Sequence, residues 1–204
     1  MKPLAFSLAA LTLSSLPACS RTAEEHALFD ALQPYCGKAF GGQVLGDETA
    51  RGIYGGVPLV LDLRACEGDA MTMPLHLGEV HGFSLRLTRT ADGLDLYHRV
   101  RRSDGSAMPL DGYGGESSDA SISSRAVFPP GPQSLEIDTR QGGATFAGDT
   151  HILEWRPDEE TLIYGFDADP GDPAGDPERI YELRIAFDLS TPITPPPPPW
   201  GEAE

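Results

Sequence analysis

The hydrophobic positions of this chain alternate most clearly between residues 71 and 102. In residues 83–88 every second side chain is apolar, which predicts a β-strand with one face in a core. An Asp92-Gly93 pair then indicates a tight turn, and residues 94–100 resume the alternation. Residues 71–77 give a third alternating run. The pattern predicts three neighbouring antiparallel strands.

Similar short runs follow one another along most of the chain. Gly 23 and Pro 19 are high counts, which favours many strands joined by turns over a helical bundle. We predict an all-β fold, an antiparallel β-barrel or β-sandwich of about eight to ten strands, in a single β domain over residues 36–190. One short N-terminal helix is expected at residues 23–33, and Gly41-Gly42 indicates a bend in the first strand.

The first residues have the features of an export signal. Lys2 precedes an apolar run over residues 4–16 that is too short for a permanent membrane span. The run ends in Leu16-Pro17-Ala18-Cys19, which resembles the lipobox of bacterial lipoproteins. That resemblance implies a signal peptide over residues 1–18, a diacylated Cys19, and a tether with the short helix over 19–35. With Ser20 next, it also implies the periplasmic face of the outer membrane. The alternative is cleavage after Ala18 and a soluble periplasmic or secreted protein.

The cysteine count fits an exported chain. There are three cysteines, Cys19, Cys36 and Cys66, and an odd number in a secreted protein needs an explanation. If Cys19 carries lipid, Cys36 and Cys66 remain as a pair, and we expect them to form a disulfide worth about 3–4 kcal/mol. The alternative is a pair of buried free thiols.

Charge and motifs exclude several kinds of chemistry. A net charge of −16 argues against nucleic-acid binding, which needs clustered Lys and Arg. The five histidines form no HExxH motif, there is no CxxC pair, and no GxSxG motif is present, so we predict no metal site, no cofactor and no catalytic residue. The sequence therefore favours a non-enzymatic protein.

Three residues are candidates for ligand binding. His98 shares the inward face of its predicted strand with Leu94 and Leu96, although such a histidine is more often a core residue satisfied by a polar neighbour. His76 flanks the Gly78 turn together with His81, which could approach it. Tyr113, in a glycine-containing loop, is the third candidate.

Two further segments have alternative interpretations. The acidic segment 167–178 has carboxylates at EF-hand spacing, but its fifth and sixth positions, Gly171 and Asp172, do not fit, so a solvated loop is favoured over calcium binding. The proline-rich acidic tail, residues 191–204, contains five consecutive prolines before Trp200. An exposed polyproline rod without a partner is favoured over a docking segment.

Short motifs spread over residues 35–193 resemble a group of secreted proteins of Gram-negative bacteria with no assigned activity. The helix, the glycine-bearing first strand and the successive antiparallel strands are loosely similar to lipocalin-like barrels. The motifs that carry the first resemblance are Tyr35-Cys36-Gly37-Lys38, Arg64-Ala65-Cys66, Pro74-Leu75-His76-Leu77-Gly78, Leu87-Thr88-Arg89-Thr90, Asp104-Gly105, Tyr113-Gly114-Gly115 and Phe187-Asp188-Leu189.

Together these features predict a periplasm-facing, lipid-anchored envelope protein that binds a small apolar ligand inside a lipocalin-like barrel. Its expected partners are the membrane, through Cys19, and either that ligand or another envelope protein. One alternative is a protein-interaction module or an inhibitor of a cell-wall enzyme. A second is a carboxylate-dependent hydrolase, since acidic residues are abundant.

Overall fold

A computed structural model describes residues 26–45, 52, 55–118, 121–143, 145–167 and 183–202. Within these residues the dominant element is one antiparallel sheet of eleven strands. The strands are β1 (Ala39–Val44), β2 (Leu59–Asp62), β3 (Ala65–Glu67), β4 (Ala70–Leu77), β5 (Val80–Arg89), β6 (Leu94–Val100), β7 (Gly114–Glu116), β8 (Arg125–Phe128), β9 (Thr150–Arg156), β10 (Thr161–Asp167) and β11 (Leu183–Ile193).

The sheet curls into a nearly closed barrel of ten strands. Their order is β7-β6-β5-β4-β2-β1-β11-β10-β9-β8, and β3 pairs only with β4. The two end strands approach each other, because the Ser118 amide donates to the Val127 carbonyl and the Gly131 amide to the Gly114 carbonyl, both at 2.9 Å. The predicted all-β antiparallel fold is confirmed, and of the two architectures expected it is the barrel.

The hairpin predicted from residues 83–100 is confirmed. In the β5–β6 pair Leu87 lies opposite Leu96, and in the β4–β5 pair Met71 lies opposite Leu87. All three side chains belong to the apolar core. Gly93, in the turn, has a φ of 148°, a conformation that glycine adopts readily. The two-residue period of apolar side chains therefore determines which residues form the inner wall in this half of the barrel.

The glycines of β1 form the predicted bend. The pairing of β1 with β11 shifts register between Phe40 and Gly42. A Cβ atom on Gly42 would lie 2.5 Å from Cε1 of Phe187. Gly42 therefore leaves the space that the buried Phe187 ring occupies, while the bulge turns the strand.

Two short α-helices lie at opposite ends of the barrel. Helix α1, described over residues 26–32, buries Leu28, Phe29 and Leu32 in the core beside the β5–β6 turn, where the His26 ring donates to the carbonyls of Thr90 and Gly93. No helix in the described parts of the chain is long and apolar enough to cross a membrane.

Helix α2 (Pro132–Arg140) was not predicted. Ile137 of α2 packs with Val100 and Tyr113 at the far end of β6. Pro132 at its first position is a helix-start signal, and Gly142 and Gly143 beyond its end are helix-stop signals. Its two apolar residues, at positions 135 and 137, are two apart and show no helical period, so the helix is hidden in the sequence.

The C-terminal segment is bound to the barrel, so the expectation of an exposed tail is wrong. We call residues 194–202 the C-terminal strap. The Arg64 guanidinium donates to the Pro196 carbonyl at 2.9 Å, the Trp200 amide donates to the His81 carbonyl at 2.9 Å, and Glu202 pairs with Arg99.

The physical reason for this docking is a missing side chain on β5. A Cβ atom on Gly82 would lie 2.2 Å from the Arg101 carbonyl oxygen and 2.9 Å from Cε3 of Trp200. The neighbouring backbone therefore requires glycine here, and the same missing side chain lets the indole approach the sheet. The strap thereby covers part of the outer face of the barrel.

The predicted disulfide is confirmed. Cys36 and Cys66 are bonded, with their Cα atoms 6.0 Å apart and a sequence separation of 30. The bond ties the segment that follows α1 to β3, which pairs with the barrel only through β4.

Replacing both cysteines, in the Cys36→Ala/Cys66→Ala variant, should lower the free energy of unfolding by about 3 kcal/mol, because the unfolded chain regains the freedom of the open loop. Urea denaturation of the two proteins measures the difference. Dithiothreitol should destabilise the wild type by a similar amount and leave the variant unchanged. Equal stability of variant and wild type would show that the bond contributes nothing.

Candidate functional site

Polar aromatic side chains from distant parts of the chain meet inside the barrel. His98 of β6, His151 of β9 and Tyr164 of β10 are 3%, 1% and 4% exposed. The Tyr113 ring stacks on His98, with centroids 4.1 Å apart and planes 6° from parallel. We call these four residues the inner His–Tyr cluster.

Strand alternation places three members of the cluster on the inner wall. His98 follows Leu96 by two residues, His151 precedes Leu153 by two, and Tyr164 follows Leu162 by two, and all three leucines are core residues. Each polar side chain thus occupies a position where this fold otherwise has an apolar one. Buried polar groups are expected to be hydrogen-bonded, and these are.

The hydrogen bonds fix which nitrogen of each histidine carries the hydrogen. Nδ1 of His98 lies 3.2 Å from the Tyr113 carbonyl oxygen, and Nε2 of His151 lies 2.9 Å from the Phe146 carbonyl oxygen. A carbonyl oxygen can only accept, so each of these nitrogens is the donor. The other nitrogen of each neutral ring carries a lone pair, and both lone pairs are directed at Tyr164.

The Tyr164 hydroxyl therefore faces two acceptors. Its Oη lies 2.9 Å from Nε2 of His98 and 3.2 Å from Nδ1 of His151. A phenol has one hydrogen, so with both rings neutral it can donate to only one of the two nitrogens at a time. The other imidazole lone pair is not satisfied by Tyr164, and the cluster has one acceptor more than this hydroxyl can serve.

Both histidines are held in the neutral form. Burial lowers the pKa of His151 to about 4. Burial, and then the neighbouring His151, lowers the pKa of His98 well below its usual value. The lone pairs therefore persist at pH 7 and are not removed by protonation.

The cluster lies between two apolar groups of the interior. On one side His151 contacts Phe166 of the main core, with ring centroids 5.8 Å apart. On the other side Tyr113 packs with Val100 and with Ile137 of α2. The polar site is therefore at the α2 end of the barrel, enclosed by apolar side chains.

The structure separates His76 from the other two candidates. His76 lies on the face of β4 opposite to Met73 and Leu75, and its Nδ1 is 2.7 Å from Nδ1 of His81, the approach expected across the Gly78 turn. Its Nε2 is buried and has no partner among the described residues. Burial, and then His81, lowers the pKa of His76 to about 4.

A pair of carboxylates lies on the outer surface of the sheet. Asp95 of β6 is directly opposite Glu116 of β7, beside a cavity of about 150 Å³ that both residues line. Burial, and then Glu116, raises the pKa of Asp95. Among the described residues, this pair of carboxylates is the arrangement relevant to the predicted alternative of a carboxylate-dependent hydrolase.

Sequence reasoning identified two of the four cluster residues. His151 and Tyr164 lie on strands that the sequence predicted, and their alternation with Leu153 and Leu162 was the available signal that they point inward. Cys19 and the acidic segment beyond Asp167 lie outside the described residues, so the lipid anchor and the calcium alternative stay predictions.

No protein-family model matches the chain, and comparisons with curated proteins and with solved structures found no match either.

Acidification should destabilise the protein before its carboxylates titrate. The unfolded state binds a proton at His151 near pH 6.5, whereas the folded state does so only near pH 4, so the free energy of unfolding falls as the pH drops between these values. For His151 alone the loss is about 2 kcal/mol between pH 8 and pH 5. Urea denaturation across this range measures it.

The His151→Gln variant is the control for this effect. It keeps a polar side chain but removes the titrating ring. Between pH 8 and pH 5 its free energy of unfolding should therefore fall by about 2 kcal/mol less than that of the wild type. An unchanged pH dependence in the variant would contradict the assignment to His151.

Proposed function

We propose that this chain is a lipid-anchored protein of the bacterial envelope that faces the periplasm. In this proposal it binds a small, mostly apolar ligand inside its barrel without catalysing a reaction. The location is supported by the lipobox-like Leu16–Cys19 segment and by the Cys36–Cys66 disulfide, which is typical of oxidising compartments.

The inner His–Tyr cluster carries the binding part of the proposal. An interior that served stability alone would favour apolar side chains here, because a buried acceptor without a hydrogen costs about 1–3 kcal/mol. Ligand sites typically combine an apolar wall with a few well-placed polar groups, and the described inner wall has this composition around His98 and Tyr164.

The hydrogen count also indicates what kind of ligand would fit. The two histidines together offer one lone pair more than Tyr164 can serve, so a ligand that carries an N–H or O–H group would complete the network. The rest of the ligand would be apolar, since the neighbours of the cluster are Phe166 and the apolar group with Val100 and Ile137.

The two alternatives have less support. The carboxylates of Asp95 and Glu116 are direct neighbours on the outer face of the sheet, whereas the two carboxylates of a glycoside hydrolase flank the bond that is cleaved. An interaction module would use the loops or the tail, but the C-terminal strap already binds its own barrel through Pro196 and Trp200.

Native mass spectrometry of the protein purified from its own membrane tests the proposal. We expect a chain that begins at a diacylated Cys19 and retains a non-covalent organic adduct. The adduct should be lost from a His98→Leu variant, which removes the lone pair, and retained by a His81→Asn control, which changes a histidine outside the cluster.

Absence of an organic adduct in the wild type, or its retention in His98→Leu, would contradict interior binding. An unacylated chain with the adduct present would contradict only the membrane anchoring.

A further inference from the structure

Two histidine nitrogens of the inner His–Tyr cluster face the same phenol oxygen. Oη of Tyr164 lies 2.9 Å from Nε2 of His98 and 3.2 Å from Nδ1 of His151. Around a transition-metal ion with bonds of about 2.0–2.1 Å, neighbouring donors are about 3.3 Å apart in tetrahedral geometry and about 2.9 Å apart in the square-planar geometry that Cu²⁺ prefers. The two separations from Tyr164 therefore match, within a few tenths of an ångström, the donor spacing around such an ion.

The second nitrogen of each histidine is bound as in a metal site. Metal-ligating histidines almost always donate their other N–H to a carboxylate, a backbone carbonyl or water, which fixes the ring and its tautomer. Here His98 donates to the Tyr113 carbonyl and His151 to the Phe146 carbonyl. The two backbone carbonyls thus orient the rings so that both lone pairs point at the Tyr164 hydroxyl.

The number of hydrogens available between the three side chains also suits a bound metal ion. One phenol hydrogen lies between two imidazole acceptors and serves one of them, whereas a cation in its place would be bound by both nitrogens and by the phenolate. The phenolate cancels one charge of a divalent ion, which lowers the cost of burying it. The hydrogen leaves as H⁺, so each ion bound releases one proton.

From these observations we propose that His98, His151 and Tyr164 bind one divalent transition-metal ion, Cu²⁺ more tightly than Zn²⁺. Imidazole ligands suit both ions, and the order of affinity follows the general series for divalent metals. No three His, Cys, Asp or Glu side chains form a metal site in the described parts of the chain, and the third donor here is a tyrosine. The inference goes beyond the proposed function and does not require the organic ligand.

The sequence predicts no metal site because its histidines and cysteines have no local metal-binding spacing. The three donors lie on β6, β9 and β10, and His98 and Tyr164 have a sequence separation of 66, so no short motif contains them. The pairing of β9 with β10 brings His151 and Tyr164 together, and closure of the barrel adds His98.

Copper titration of the full chain tests the site. The protein carries a purification tag without histidine, is stripped with a chelator, and is titrated with Cu²⁺ against glycine, which removes weakly bound ions from the acidic surface. We expect one tightly bound Cu²⁺ per chain, release of one proton, and a visible phenolate-to-copper charge-transfer band.

Two tyrosine variants form a matched pair. Tyr164→Phe removes the third donor, so the charge-transfer band should vanish and affinity should fall more than about 100-fold, beyond the effect of losing an outer-shell partner. Tyr97→Phe removes a phenol from the position next to His98 on β6, but on the outer face of the sheet, where Tyr97 is exposed, so its band and affinity should match the wild type.

The proposal is overturned if the wild type binds no Cu²⁺ beyond the glycine competition, or if Tyr164→Phe binds it as tightly as the wild type. Should circular dichroism show that Tyr164→Phe is unfolded, electron paramagnetic resonance of the wild type with ¹⁵N-histidine decides. Coupling to two histidine nitrogens supports the site, and coupling to none or one overturns it. An organic adduct without copper binding would contradict this inference alone.

Discussion

The hydrogen bond that Tyr164 makes with His98 joins parts of the sheet that lie far apart along its strand order. Between β6 and β10 on that path are five other strands, β5, β4, β2, β1 and β11. A 2.9 Å contact between Tyr164 and His98 is possible only because the sheet curls until its two ends meet. Closure is therefore the constraint on which the whole site depends.

Closure in turn depends on small residues at specific places. Gly42 lets β1 bend over the Phe187 ring, and a Cβ atom on Gly115 of β7 would lie 2.0 Å from the Pro129 carbonyl oxygen that follows β8. These glycines allow backbone and rings to approach where the barrel turns and where its ends meet. The apolar inner wall then supplies the burial that holds the curved sheet together.

The inner His–Tyr cluster is polar, whereas the interior around it is apolar. Its rings are enclosed by apolar side chains and kept neutral by burial, and one of its acceptors is not served by the available phenol hydrogen. Such a local departure from what stability alone would favour is expected at functional positions. An organic donor group or a metal ion would each complete the network, and the two differ in whether Tyr164 keeps its hydrogen.

Local patterns were readable in the sequence and long-range contacts were not. The β5–β6 hairpin, the bulge in β1 and the Cys36–Cys66 pair follow from alternation, turn residues and cysteine counting. The meeting of His98 with His151 depends on the register of strands more than fifty residues apart. The docking of Trp200 depends on the absence of a side chain at Gly82, and the sequence around these two residues does not indicate that they are in contact.

The protonation pattern of the two buried histidines tests the account most directly. Long-range ¹⁵N–¹H correlations on the metal-free protein at pH 7 report which ring nitrogens carry hydrogen. The account predicts two neutral rings, with the hydrogen on Nδ1 of His98 and on Nε2 of His151. A hydrogen on Nε2 of His98, a hydrogen on Nδ1 of His151, or a charged ring at either position would contradict it.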